Sequence, residues 1–118
     1  SGPHFRDYHL LLDDQAAQIL GVTDAIAERV RKTGNTTLRS IGDISRRQSI
    51  PDNDKDFVGP TEMLAELRED NLKLVEQFRI VKDAADEAKD NATSGIVDEW
   101  TDQAEERAWF LFEAARKG

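Results

Sequence analysis

Residues 5–30 read FRDYHLLLDDQAAQILGVTDAIAERV, and this stretch decides the fold class of the 118-residue chain. Eight of its residues, most of them apolar, recur at alternating spacings of four and three residues, which keeps them on one stripe of an α-helix. The stripe consists of Phe5, His9, Leu12, Ala16, Ile19, Thr23, Ile26 and Val30. Basic residues close the stretch, and Gly34 follows as a helix-terminating residue. The sequence therefore opens with a predicted amphipathic helix of about four heptads.

The same alternation returns twice further along the chain. The second stripe holds Met63, Leu67, Asn71, Leu74, Phe78, Val81, Ala85 and Ala88, and the third holds Val97, Trp100, Ala104, Ala108, Leu111 and Ala115. Pro60 suits the first position of the second long helix, and Thr93 or Ser94 can cap the third after a break over residues 91–95. The whole chain, residues 1–118, is predicted to form one all-α domain, a compact bundle.

The region between the first two long helices is predicted to hold one short helix and one loop. The short helix falls within residues 35–47, behind Asn35 or Thr36 as the capping residue. Proline, asparagine and aspartate follow over residues 49–59, which is typical of a surface loop. The predicted order is therefore helix, short helix, loop, helix, helix.

Composition excludes several classes of protein. The chain has no cysteine, which removes disulfides, thiolate zinc sites and iron–sulfur ligation, so a metal would be held by imidazole or carboxylate. No apolar run is long enough to span a membrane and no signal peptide is recognisable, so we expect a cytosolic protein. A net charge of -8 argues against a nucleic-acid-binding patch. No catalytic triad, phosphate loop or dinucleotide motif is present.

Four side chains able to bind metal lie on one side of the predicted first helix. At 100° per residue, His9, Asp13, Asp24 and Glu28 fall at about 0°, 40°, 60° and 100° around the axis. Asp13 and Asp24 are eleven residues apart, however, which is about 16 Å along the axis. One copy of the helix therefore cannot bring both pairs of side chains to one metal ion.

A second, antiparallel copy of the helix removes this difficulty. His9 with Glu28, and Asp13 with Asp24, both centre between residues 18 and 19, so a two-fold axis there brings the pairs together. Such an isologous dimer would hold two identical sites, each with one imidazole and up to three carboxylates. That donor set suits Fe(II) or Mn(II), with zinc as a competitor. Alternatively, the three acids are ordinary solvated charges and His9 lines the bundle.

The residues around these four side chains resemble the motif of a known family. Residues 2–13, GPHFRDYHLLLD, followed by residues 24–29, DAIAER, are similar to the signature of the Dps family, the miniferritins. The shared pattern is H-x3-D and then D-x3-E-R, with the second aspartate eleven residues after the first. Gly34, Thr37 and Leu38 resemble the start of the family's short middle helix, and residues 109–111, WFL, resemble part of its last helix.

The resemblance implies a fold, an activity and a set of ligands. The expected fold is an all-α, ferritin-like four-helix-bundle subunit that forms a hollow dodecamer with ferroxidase sites at two-fold interfaces. The expected activity is oxidation of Fe(II) by hydrogen peroxide or oxygen, with the Fe(III) mineral stored inside and DNA protected from oxidative damage. By position, His9 and Asp13 of one subunit and Asp24 and Glu28 of its mate would be the iron ligands. The expected location is the bacterial cytosol or nucleoid. Glu28 would be the bridging carboxylate.

The chain departs from the family pattern at its front. Family members carry a preceding long helix that ends in a histidine and a tryptophan, and this sequence starts after that point. The first bundle helix and one ferroxidase histidine are therefore expected to be absent from it. This leaves two alternatives, a catalytically impaired ferritin-like scaffold or interaction protein, and a generic helical adaptor that shows no two-fold pairing of the first helix.

Several other residues carry weaker expectations. His4 is about 140° round the helix from His9, which makes it a poor substitute ligand. Trp100 and Trp109 are expected in the core or at an interface, with quenching of oxidising equivalents as a further role for Trp109. Asp98 and Asp102, one turn apart, either line an acidic pore or form a solvated face. DNA binding is predicted to be weak or absent, because the basic residues 116–117 do not offset the net negative charge.

Overall fold

The computed structural model describes residues 4–116, and every regular element in that range is an α-helix. The helices are α1 (Phe5–Lys32), α2 (Ile41–Arg47), α3 (Pro60–Glu87) and α4 (Asn91–Arg116). The predicted order of helix, short helix, loop, helix, helix is confirmed. None of these helices is long and apolar enough to cross a membrane. Gly2 and Pro3 of the motif, and Lys117 of the basic pair, lie outside the described residues.

Two of the predicted helix ends are confirmed, and the predicted cap of the short helix is wrong. Gly34 follows the last turn of α1 with a φ of +87°, a left-handed conformation that glycine adopts without strain. Pro60 lies in the first turn of α3, where its missing N–H breaks no hydrogen bond. The short helix begins later than predicted, because the cap is Ser40, whose Oγ accepts a hydrogen bond from the Asp43 N–H at 3.0 Å, instead of Asn35 or Thr36.

The turn between α3 and α4 also differs from the prediction. The break lies at residues 88–90, where Lys89 has a φ of +60°, and α4 already begins at Asn91. The Asp90 carboxylate accepts hydrogen bonds from the Thr93 N–H at 3.2 Å and from its hydroxyl at 2.6 Å. Asp90 therefore caps α4. Thr93, which was predicted as a cap, instead donates hydrogen bonds to Asp90. The glycine at position 95 lies inside the helix.

The α3–α4 pair forms the centre of the molecule, and α1 packs against α4. Their shared core consists of Val75, Phe78, Val97, Trp100 and Ala104, with Val22, Ala25, Leu74 and Ile96 partly buried against it. The third predicted stripe is largely confirmed, since five of its six members are buried. No Cα atoms of α1 and α3 come within 8 Å of each other, so these two helices are joined only through α4 and through side chains.

The predicted apolar stripe of α1 is not the face of this helix that packs against the rest of the described chain. Phe5, Ile19 and Ile26 of the predicted stripe are 54%, 42% and 38% exposed. The face that contacts the other helices instead consists of Tyr8, Gln15, Gln18, Val22, Ala25 and Arg29. Most of these are polar, and each polar member has a hydrogen-bond partner on another helix or in the α3–α4 turn. Burial of polar side chains costs little when they are hydrogen-bonded, which is why hydropathy alone misplaces this face.

Candidate metal centre

Polar contacts hold α1 at both of its ends. The Tyr8 hydroxyl donates to the Ala114 carbonyl at 3.3 Å, near the end of α4. At the other end, Arg29 donates from Nε to the Thr93 hydroxyl at 2.8 Å and from Nη2 to the Asp90 carboxylate at 3.0 Å. Hydrogen bonds from Thr93, and the nearby Arg29 charge, hold the pKa of Asp90 below its usual value. Because Arg29 adjoins Glu28 in the chain, this contact also restrains the backbone that carries a candidate ligand.

A buried polar cluster holds the middle of α1. Arg107 on α4 is 2% exposed. Its guanidinium donates from Nε to the side-chain oxygen Oδ1 of Asn71 at 2.8 Å and from Nη1 to Gln18 Oε1 at 3.3 Å. The Gln15 amide donates to the Arg107 backbone carbonyl at 3.2 Å. Three helices therefore meet at one side chain. The sequence signal for this cluster was Asn71 within the apolar stripe of α3, with Gln15 and Gln18 three residues apart on α1.

These contacts divide the surface of α1 into three faces, which follow from 100° of rotation per residue. Residues 8, 15, 18, 22, 25 and 29 form the anchor face, which spans about 100° and contacts the rest of the bundle. His9, Asp13, Asp24 and Glu28 form the outward face, centred about 160° away from it. The apolar residues, such as Leu12 and Ile19, form a third face between them. The candidate ligands therefore point away from the chain's own bundle.

The structure brings the candidate ligands together in pairs but not as a group of four. His9 Nε2 and Asp13 Oδ2 are 3.4 Å apart, with side chains that are 58% and 68% exposed. The His9 ring also stacks on Phe5, with centroids 5.6 Å apart, which restricts its orientation. Asp24 and Glu28 are exposed one turn apart near the other end of the helix. Within residues 4–116 of a single chain, no three histidine or acidic side chains lie close enough to hold a metal ion.

The remaining sequence candidates occupy separate places. His4 precedes α1 and packs its ring against Tyr8 at 5.7 Å, so it does not lie beside His9. Asp98 accepts a hydrogen bond from Lys82 Nζ at 2.9 Å, which raises the pKa of that lysine and neutralises part of the acidic pair with Asp102. Trp100 is in the core, as one of the two alternatives predicted.

Trp109 lies on the surface instead. It is 59% exposed and packs against the Phe110 ring, with centroids 5.2 Å apart. Because both rings belong to α4 and are partly exposed, they form an aromatic surface patch available for contact with another molecule.

Comparison with known proteins identifies relatives over nearly the whole chain. Residues 1–117 match the family model of the ferritin-like domain. An uncharacterized low temperature-induced protein of Nostoc sp. is 31% identical over 93% of this chain, and the match covers 62% of that protein. A DNA protection during starvation protein of Agrobacterium fabrum is 31% identical over 93% of this chain and 68% of its own length. The chain thus spans a little under two thirds of the Nostoc relative.

A solved structure supports the same grouping. The crystal structure of a Dps protein from Bacillus brevis superposes with a TM-score of 0.91 and 26% sequence identity. The match covers 96% of this chain and 75% of that chain. The three long helices and the short middle helix therefore have the arrangement of a known four-helix bundle, with the anchor face of α1 turned towards α4.

Proposed function

Since this chain belongs to the ferritin-like domain family and, within it, to the Dps miniferritins, we propose that it binds Fe(II) and oxidises it at a site shared between two copies. The iron is stored as Fe(III) mineral in an assembled cage, which protects DNA from oxidative damage. Iron is the substrate and cargo of this reaction. The proposal covers the activity, the ligands, the dodecameric assembly and a location in the bacterial cytosol.

One observation carries the proposal: the four candidate ligands share the outward face of α1, in two pairs related by a centre between residues 18 and 19. A two-fold axis at that centre places His9 and Asp13 of one copy opposite Glu28 and Asp24 of the other. The anchors on the opposite side of α1 leave this face free for such a contact. One imidazole nitrogen with carboxylate oxygens is a donor set that fits Fe(II), and the hard oxygens favour Fe(III) once it forms.

The residues have distinct roles in this reaction. Each of two Fe(II) ions gives up one electron, and hydrogen peroxide takes both electrons with two protons to form two molecules of water. The carboxylates of Asp13, Asp24 and Glu28 offset the rising positive charge, and Glu28 would be the bridging carboxylate, as the family motif implies. His9 binds through one ring nitrogen in its neutral form. The net charge of -8 attracts Fe(II) towards the assembly.

The test pairs two double variants that each remove one half of the site. His9→Ala/Asp13→Ala and Asp24→Ala/Glu28→Ala should each lose saturable anaerobic Fe(II) binding in calorimetry, and iron-dependent peroxide consumption. When the two variants are unfolded, mixed in equal amounts and refolded, half of the random dimers combine both chains. Each mixed dimer has one intact site and one empty one, so about a quarter of the wild-type sites should return.

A matched control uses an acidic pair elsewhere on the surface. Asp83 and Glu87 are exposed and one turn apart on α3, so Asp83→Ala/Glu87→Ala removes the same charge without touching α1. It should bind iron like the wild type. A mixture that recovers no binding, or variants that keep full binding alone, would exclude a shared site and favour the alternative of a ferritin-like scaffold.

A further inference from the structure

The attachment of α1 to the rest of the described chain is mainly polar. Of the residues in α1, Gln15 alone is fully buried, at 5% exposed. Val22 and Ala25 contact the core cluster, but both are only partly buried. Apolar packing has no preferred direction, whereas a hydrogen bond requires its donor and acceptor to be aligned. The rotation of α1 about its own axis is therefore set mainly by its hydrogen bonds.

Two of these hydrogen bonds converge on Arg107 of α4. The Gln15 amide donates to the Arg107 backbone carbonyl at 3.2 Å, and Gln18 Oε1 accepts from the Arg107 guanidinium at 3.3 Å. Gln15 and Gln18 are about 60° apart around α1 and about 4.5 Å apart along it. A single hydrogen bond would let the helix turn about it, but two at different angles fix both its rotation and its axial position.

Arg107 is itself held in place by α3. Its Nε donates to Asn71 Oδ1 at 2.8 Å, and the Asn71 amide nitrogen donates to the Leu67 carbonyl of the same helix at 2.8 Å. Both ends of the Asn71 amide are therefore in use. Burial lowers the pKa of Arg107, but the guanidinium stays protonated, and hydrogen bonds from a charged donor are about twice as strong as neutral ones. The position of α1 is thereby tied to α3 as well as to α4.

This polar cluster lies behind the middle of the proposed two-fold contact. The midpoint of Gln15 and Gln18 is two residues from the centre between residues 18 and 19, which is about 3 Å along the axis. The candidate ligands lie on the opposite side of the helix. At a radius of about 5–6 Å, a rotation of α1 by about 20° moves the ligand atoms of one copy by about 2 Å. Metal–ligand distances vary by only about 0.2 Å, so joining two half-sites requires a fixed rotation.

We propose that Arg107 is a positioning residue for the shared metal site: through Gln15 and Gln18 it fixes the rotation of α1, so that the ligands of two copies meet. This inference rests on the proposed function and adds how the ligand face is aligned. Replacing all members of a buried polar cluster by apolar side chains of similar size can leave stability unchanged, but it removes the directional contacts. Iron affinity should therefore depend on the cluster even where stability does not.

The first experiment replaces the whole cluster in one protein, Gln15→Met/Gln18→Met/Asn71→Leu/Arg107→Met, which we call the apolar-cluster variant. Its urea unfolding midpoint should be no lower than that of the wild type. Its anaerobic Fe(II) affinity, measured by calorimetry, should be about 10- to 100-fold weaker. The control is Val75→Ala, which leaves a cavity at a core position that is 4% exposed. It should lower the unfolding midpoint and leave the Fe(II) affinity unchanged.

A second readout reports the rotation of α1 without iron. The chain has no cysteine, so a single introduced cysteine reports the exposure of its own position through the rate of thiol labelling. Val22→Cys, on the anchor face, should react about tenfold faster in the apolar-cluster variant than in the wild-type background. Ala104→Cys, at a core position of α4 with 0% exposure, should react slowly in both. This pair separates a change in α1 from a loss of the whole fold.

Gln18→Met keeps the proposal testable if the apolar-cluster variant does not fold. It removes one of the two attachment points at a partly exposed site and should weaken Fe(II) binding several-fold, whereas Gln77→Met, at an exposed site on α3, should not. Wild-type Fe(II) affinity in Gln18→Met and in the folded apolar-cluster variant, or slow labelling of Val22→Cys in the latter, would overturn the positioning role alone. No saturable binding by the wild type would instead refute the proposed function, and the positioning role with it.

Discussion

Leu20 offers the most direct test of two-fold pairing through α1. It lies on the outward face, between the two pairs of candidate ligands, and is 73% exposed. Full burial of a leucine side chain contributes about 1.5–3 kcal/mol, so covering the exposed part contributes about 1–2 kcal/mol per copy. Leu20→Ala changes both copies and should weaken the contact by about 2–4 kcal/mol. This corresponds to a dimer dissociation constant that is about 30- to 1000-fold higher.

The assay is sedimentation velocity over a series of protein concentrations, followed by anaerobic Fe(II) titration at the same concentrations. Leu20→Ala should shift both association and saturable iron binding to higher concentration together. Its helical content should not fall, because Leu20 is largely exposed and alanine has the higher helix propensity.

The control for this prediction is Ile80→Ala, which truncates a 62% exposed apolar side chain on α3. It should leave both curves unchanged. Unaltered association of Leu20→Ala, or an equal shift in Ile80→Ala, would refute the reasoning that the outward face of α1 is the contact.

Three further measurements test other parts of the structure. Asp90→Asn should lower the melting temperature more at pH 7 than near pH 3, because a carboxyl whose pKa is lowered by folding contributes its full stabilisation above the unfolded pKa and loses it as the pH falls through the folded value; equal destabilisation at both pH values would contradict this. Asn71→Ala removes a hydrogen-bond partner of buried Arg107 and should cost about 1–3 kcal/mol in urea unfolding, whereas Gln77→Ala, at an exposed site on the same helix, should cost little. Gel shifts with duplex DNA at physiological salt should show weak or no binding, because a net charge of -8 opposes contact with phosphate, and tight binding would show that local charge overrides the net charge.

Periodicity in the sequence was sufficient to predict the helices and their order. Gly34 and Pro60 mark helix ends through backbone properties of glycine and proline, which act locally and are therefore visible in sequence. The face of α4 was also predictable, because Val97 and Leu111 are buried among apolar neighbours. In each case, the structure follows from interactions within a few residues or from hydrophobicity alone.

The orientation of α1 could not be predicted in this way. Gln15 and Gln18 face inwards because Arg107, about ninety residues later in the chain, provides hydrogen-bond partners for them. The capping of α4 by Asp90 is likewise coupled to Arg29 on another helix. Specificity of this kind depends on pairs of polar groups that are distant in sequence. The four proposed ligands rest on the family motif and on helix geometry, and their binding of iron stays a prediction.

The three faces of α1 make the length of this helix a constraint in evolution. A deletion or insertion of one residue between Tyr8 and Arg29 would rotate everything beyond it by about 100°. Asp24 would then turn away from the proposed partner copy while Arg29 left Asp90, so one event would disrupt both folding and the proposed assembly. We therefore expect related sequences to vary in length in the loop over residues 48–59 and to keep the number of residues in α1 constant.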